Sequence, residues 1–159
     1  MRHGYLLSTL LLIAASAHAG VVINGTRLVY QGDKKESSLG LSNPDTTDYL
    51  VQSWVDSGGK NPAKAPFLIT PPLFRLDAKE DNVLRVVRTG GNLPEDRESL
   101  YWLNIKAIPS SKHVEGVNTL QIAINTRIKL LYRPSAVKGR PEDVADKLEW
   151  HREGNDLVV

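Results

Sequence analysis

Cysteine is absent from this 159-residue chain. No disulfide framework is available, and the fold must rest on packing. Past the first nineteen residues no apolar run approaches the roughly 20 residues that cross a bilayer. Histidine is scarce as well: of four, only His113 and His151 lie beyond residue 19, far apart and without a metal-ligand spacing. There is no Gly-x-Ser-x-Gly, no P-loop and no dinucleotide fingerprint. The carboxylates of "PEDRES" (Pro94 to Ser99) read as a solvated loop rather than a glycosidase pair. An enzyme is therefore disfavoured, and neither a metal nor a cofactor is indicated. Neither charge sign dominates. Removing residues 1–19 takes away Arg2 and no acid, leaving 19 Lys+Arg against 18 Asp+Glu, so nothing suggests nucleic acid or another polyanion as partner. Helical periodicity is almost missing, and there is neither an internal repeat nor a low-complexity tract.

What is present begins with a short basic start, Met1-Arg2-His3, and a mostly apolar stretch from Tyr5 to Ala17. "AHA" at Ala17-His18-Ala19 is a small-x-small cleavage site. Residues 1–19 read as a secretory signal peptide cut after Ala19. The lack of cysteine then fits a bacterial periplasm better than a disulfide-rich extracellular setting.

The rest alternates strand and turn. Strands are expected at Val21–Tyr30, Glu36–Leu41, Tyr49–Asp56, Asn82–Arg88 and Leu100–Ile108. "FLIT" and "LFRL" flank Pro71-Pro72, which makes them two short strands or one bent one. Trp54 and Trp102 sit mid-strand and are expected in the core. About seven short strands at this spacing imply an all-β, antiparallel sandwich. "SAVKGRPEDVADK", after Pro134, reads as a linker. "LEWHREGNDLVV" reads as a hairpin turning at Gly154-Asn155, the opening of a second β domain that two strands alone cannot complete.

One segment is too long. "NTLQIAINTRIKLLYRP" runs sixteen residues, Asn118 to Arg133, before its proline. At roughly 3.3 Å per residue that is about 50 Å, wider than a small domain. Leu120, Ile122 and Ile124 alternate on one side of its first half. From periodicity alone, a strand buried in its own sheet is the commoner reading.

Two stretches carry more. "LPEDRESLYWLNIKAIP" (Leu93 to Pro109) and "LQIAINTRIKLLYRP" (Leu120 to Pro134) strongly resemble the periplasmic pilus-assembly chaperones, the PapD-like family. "TRLVYQGDKKESSLGLSN" (Thr26 to Asn43) and "TPPLFRL" (Thr70 to Leu76) agree with it, and the resemblance covers Gly20 to Val159. The short link between Pro109 and Asn118 resembles the short-loop branch. The resemblance implies an immunoglobulin-like seven-stranded β-sandwich over 20–134, a hinge at 135–142 and, at 143–159, the incomplete start of a second such domain. Whether the second domain is missing from a fragment or from a truncated gene is left open by the sequence.

The resemblance also implies a function. Such chaperones hold pilus subunits whose own sandwich lacks a strand, complete it with their last strand, and pass the subunit to an outer-membrane usher. No nucleotide or metal is needed. Leu120, Ile122 and Ile124 are the implied donor side chains. At about 1.5–3 kcal/mol for each buried aliphatic, three give a gross 5–9 kcal/mol before ordering costs. Arg27 and Lys129 correspond to the family's anchor for the subunit's terminal carboxylate, and Glu98 and Arg133 to an internal ion pair that sets domain orientation. The competing readings are an exported sandwich that binds carbohydrate or a small ligand, and a non-functional truncated chaperone.

Overall fold

Alternating burial sets the strands. In β2 (Arg27–Gln31) Leu28 and Tyr30 are buried while their neighbours face solvent, the period of two that a pleated strand imposes. The computed structural model describes residues 20–59, 64–111, 120–139, 141–143 and 145–158. The expected cleavage site and His113 lie outside them.

Nine strand segments make the sandwich. They are β1 (Val22–Ile23), β2, β3 (Glu36–Ser42), β4 (Tyr49–Asp56), β5 (Phe67–Thr70), β6 (Leu73–Leu76), β7 (Asp81–Arg88), β8 (Ser99–Pro109) and β9 (Ile124–Arg133). One sheet has the order β1-β3-β7-β5, the other β2-β9-β8-β4-β6. Side chains from the two inner faces, among them Leu41, Val51, Leu84, Val86, Leu103 and Leu130, form one core. Its aromatic end packs Tyr30 edge-on to Phe67 at 5.4 Å and Phe67 to Tyr101 at 5.2 Å, an arrangement that sets ring edges against π faces.

Two passes split between the sheets. The stretch expected as one strand, Val21–Tyr30, breaks into β1 and β2. Gly25 lies between them at φ +144°, a backbone region that glycine alone occupies readily, and the chain crosses there to the opposite sheet. Likewise β5 and β6 belong to different sheets, either side of the cis Thr70–Pro71 bond. Counting each split pass once gives the seven expected. The crossing at Gly25 also corrects the all-antiparallel expectation: β2 lies beside β9 and runs parallel to it.

Trp54 is not a core anchor. The inner face of β4 carries Val51, Ser53 and Val55, and Trp54 faces outward at 36% exposure. Trp102 is half-buried on the same outer face. Beyond the sandwich, β10 (His151–Glu153) and β11 (Asp156–Val158) pair as the expected hairpin, with Gly154 in its turn at φ 61°. Leu148, Trp150 and Leu157 are exposed there.

Candidate functional site

The overlong segment resolves into two parts. Regular strand starts at Ile124, four residues later than Leu120, and Leu120–Ala123 precede it without strand pairing. Asn118 and Thr119 lie outside the described residues. The apolar face nevertheless runs on. At alternate positions along β9 exposure rises from 0% at Leu130 and 7% at Ile128 to 53% at Ile124, and in the residues before the strand it reaches 67% at Ile122 and 88% at Leu120. These alternate positions thus pass from the core into solvent, with Thr126 half-buried between Ile128 and Ile124. Ile122 and Ile124 border a cavity of about 360 Å³ at the open end of the sandwich, with Tyr49, Ile105 and Ala107.

The backbone of the same segment is half-paired. On one side β9 bonds to β8 from Ile124 through Tyr132. On the other, β2 pairs only with Lys129 through Arg133. Residues 124–128 therefore present an edge to which no described strand is paired, and an edge of this kind accepts an added strand.

Arg27 and Lys129 meet where that edge begins. They are Cα partners in the parallel β2–β9 register, and both side chains are exposed. Among the described residues neither has an acidic partner. They border a depression of about 320 Å³ with Thr26, Trp102, Arg127 and Ile128. Two adjacent cations repel, so the pair favours an anion between them, and a carboxylate suits a guanidinium fork beside a compact ammonium.

A neighbouring cation is already neutralised. The Arg127 guanidinium lies 4.6 Å from the Trp102 ring centre and donates to Asp56 Oδ1 at 2.8 Å. Asp56 also accepts from the Gly58 N–H and the Asn104 amide, each at 2.8 Å. Burial works against the Asp56 carboxylate, but the Gly58, Asn104 and Arg127 donors outweigh it and hold its carboxyl below the ordinary range. Gly58 is required there twice over: its φ is +79°, and a Cβ would stand 2.7 Å from Trp102 Nε1. Sequence reasoning missed this cluster. Its signal was Arg127 sharing a strand face with Lys129, but the acid that pairs with it is 71 residues away.

A lowered folded pKa means that Asp56 contributes fully above its unfolded value of 3.8 and ever less as pH falls through the folded value. Asp56→Asn should lower the melting temperature at pH 7 and narrow the gap between melting at pH 7 and at pH 3. Thermal unfolding at the two pH values checks this; an unchanged gap would remove Asp56 as a source of acid sensitivity.

Glu98 and Arg133 are brought together. Arg133 Nη1 donates to Glu98 Oε1 at 2.8 Å, with Arg133 the better buried partner. The other guanidinium nitrogen donates to the Gly139 carbonyl, tying the end of β9 to the segment that follows it. His151 is exposed and lies 3.6 Å from Glu153. Among the described residues no group of three His, Asp or Glu side chains could hold a metal.

Residues 20–138 match the family of pili and flagellar-assembly chaperones, PapD N-terminal domain. The chain is 50% identical over 152 residues to the chaperone protein LpfB of Salmonella typhimurium, covering 94% of this chain and 65% of that protein. It is 43% identical over 163 residues to the chaperone protein FimC of Escherichia coli K12, covering 98% and 66%. Among solved structures, the Salmonella enterica SafB chaperone, in complex with the SafA pilin, superposes with a TM-score of 0.80 at 45% identity over 90% of this chain and 68% of that one. The E. coli chaperone DraB gives a TM-score of 0.76 at 47% identity, over 86% and 65%. This chain thus spans just under two thirds of the length of the first of these relatives, and the relatives are chaperones rather than enzymes. With its immunoglobulin-like sandwich, the chain belongs to the PapD-like family of pilus-assembly chaperones.

Proposed function

We propose that this chain is the strand-donating part of a periplasmic chaperone for pilus subunits. The observation that carries the reading is a coincidence along β9 and the residues before it: an exposed apolar series, a backbone edge to which no described strand is paired, and, at the edge's start, Lys129 beside Arg27 of β2, neither with an acidic partner among the described residues. A subunit whose sandwich lacks a strand exposes an apolar groove and unpaired backbone groups. The open edge of 124–128 supplies the backbone partners, and Leu120, Ile122 and Ile124 supply alternate side chains for the groove.

The direction of pairing follows from the anchor. A client strand whose terminal carboxylate sits at Arg27 and Lys129, and whose preceding residues lie along 128 to 124, runs parallel to β9. It then lies in line with β2, its end meeting β2's beginning. The carboxylate has one position on the client, so it fixes the register. Within the same proposal residues 1–19 are a signal peptide, 135–142 a hinge held at its near end by Arg133 and Glu98, and 143–159 the start of a second domain. Delivery to an outer-membrane usher completes the role. Among the described residues no helix is long and apolar enough to cross a membrane.

The test is capture of a pilus subunit by the purified chain. One subunit form lacks a strand; in the other that strand is restored by fusion to the subunit's own end. The chain should capture the first and leave the second unbound. Equal capture of both, or of neither, contradicts strand donation.

A further inference from the structure

Gly20 is the residue that cleavage after Ala19 would make the N-terminus, and it is already held. Its backbone nitrogen donates to Asp45 Oδ2 at 2.8 Å. The same oxygen accepts the Tyr49 hydroxyl at 2.7 Å. Burial, the hydrogen bond to Asp45 and the Asp45 charge together push the Tyr49 phenol up to about 12, so Tyr49 stays a donor at any physiological pH. Asp45 is itself fixed: its N–H donates to Asn43 Oδ1 at 3.1 Å, and the buried Asn43 amide donates to the Thr47 carbonyl at 2.8 Å and the Asp77 carbonyl at 2.9 Å. Gly20 lies near the donor segment: a Cβ built on it would stand 3.9 Å from the Ile124 side chain. Gly20, Asp45 and Tyr49 share the cavity that Ile122 and Ile124 border, and Asp45 and Tyr49 are its titratable lining groups.

Cleavage turns the Gly20 nitrogen from an amide with one N–H into an ammonium with three and a positive charge. The hydrolysis consumes one water, leaves a carboxylate on Ala19 and places the new charge beside a fixed carboxylate. We infer that Asp45 and Tyr49 form an acceptor site for the α-ammonium created by processing, and that this ion pair holds Gly20 against Ile124 as a positioning contact for the root of the donor segment. The inference rests on the processing and strand-donation readings above. A charge-assisted hydrogen bond is stronger than the neutral amide N–H hydrogen bond it replaces, so the mature chain holds the root of the donor segment more firmly than the precursor does.

The experiment uses chain exported and processed from its own precursor. Intact mass first establishes its N-terminus. The pH dependence of α-amine acetylation, read by mass spectrometry at Gly20, then gives the titration of that group in the wild type, in Asp45→Asn and in Tyr49→Phe. The wild-type group should titrate well above the ordinary α-amino range of about 7.7–8.0. Asp45→Asn should return it to that range, and Tyr49→Phe should leave it raised, because the carboxylate remains. Capture of the strand-lacking subunit should weaken about twofold to fivefold in Asp45→Asn, the span that one partly exposed ion pair covers. A mature chain beginning elsewhere overturns the inference together with the processing reading. A chain beginning at Gly20 whose amine titrates in the ordinary range, in wild type and Asp45→Asn alike, overturns the ion pair and leaves the processing reading intact. A raised value lost in Asp45→Asn with capture unchanged overturns the positioning role.

Discussion

A chain carrying Ile122→Asp should fold as the wild type does and lose capture of a strand-lacking pilus subunit by about a hundredfold or more. Ile122 is 67% exposed and precedes the first residue of β9, so the sandwich draws little stability from it. In the complex the same side chain enters an apolar groove. A carboxylate placed there without a partner costs several kcal/mol, and about 1.4 kcal/mol corresponds to each decade of affinity. The contrast is Ile128→Asp on the same face, where the side chain is 7% exposed and part of the core. That variant should unfold. Circular dichroism and urea unfolding separate the two behaviours before any binding is measured. If Ile122→Asp unfolds, Ile122 belongs to the core; if it folds and still captures the subunit, it is not a donor.

The second large effect concerns the anchor. A peptide copying the C-terminal strand of a pilus subunit should bind at least tenfold more weakly when its end is amidated, and Lys129→Ala should erase most of that difference. Arg27 and Lys129 are register partners, so a carboxylate between them meets donors from two strands. Charge-assisted hydrogen bonds of this kind contribute about 1.5–3 kcal/mol each, which is one to two decades. Arg127, the nearby cation, is held by Asp56 at 2.8 Å and should not replace Lys129. Calorimetry with both peptides against both chains completes the cycle. Equal affinity of the two peptides for the wild type would remove the anchor.

How much of this was legible in the sequence varied with the kind of feature. β4, β7 and β8 were readable because their runs are rich in β-branched and aromatic residues and are bounded by turn residues. The short strands around Pro71-Pro72 and the Gly154-Asn155 hairpin were readable from their punctuation. The facing of Trp54 was not. "YLVQSWVD" has apolar residues at both parities, and the choice of inner face fell to Val51 and Val55 with small Ser53 between them. A period of two gives the two faces of a strand; the sheet packed against it decides which one is inside. The break at Gly25 was equally hidden, since alternation continues on both sides of it while the partner sheet changes.

The site was legible in a different way. The alternation of Leu120, Ile122 and Ile124 was visible, but its exposure depends on where β8 and β2 stop pairing. That is tertiary information. The pairing of Arg27 with Lys129 and the contact of Glu98 with Arg133 came from family resemblance, because residues a hundred or more apart, or 35 apart, share no local pattern. The Arg127–Trp102–Asp56 cluster had no such precedent to point to it and emerged only from the register of three strands.

Amide exchange along β9 tests the central claim most directly. In the free chain the amides of 124–128 that do not bond to β8 should exchange quickly, and those bonded to β8 slowly. When a strand-lacking pilus subunit is captured, the fast set should become protected, from the end next to Lys129 toward Ile124. Capture that leaves those amides exchanging as fast as before would mean the subunit binds elsewhere, and would contradict strand donation by β9.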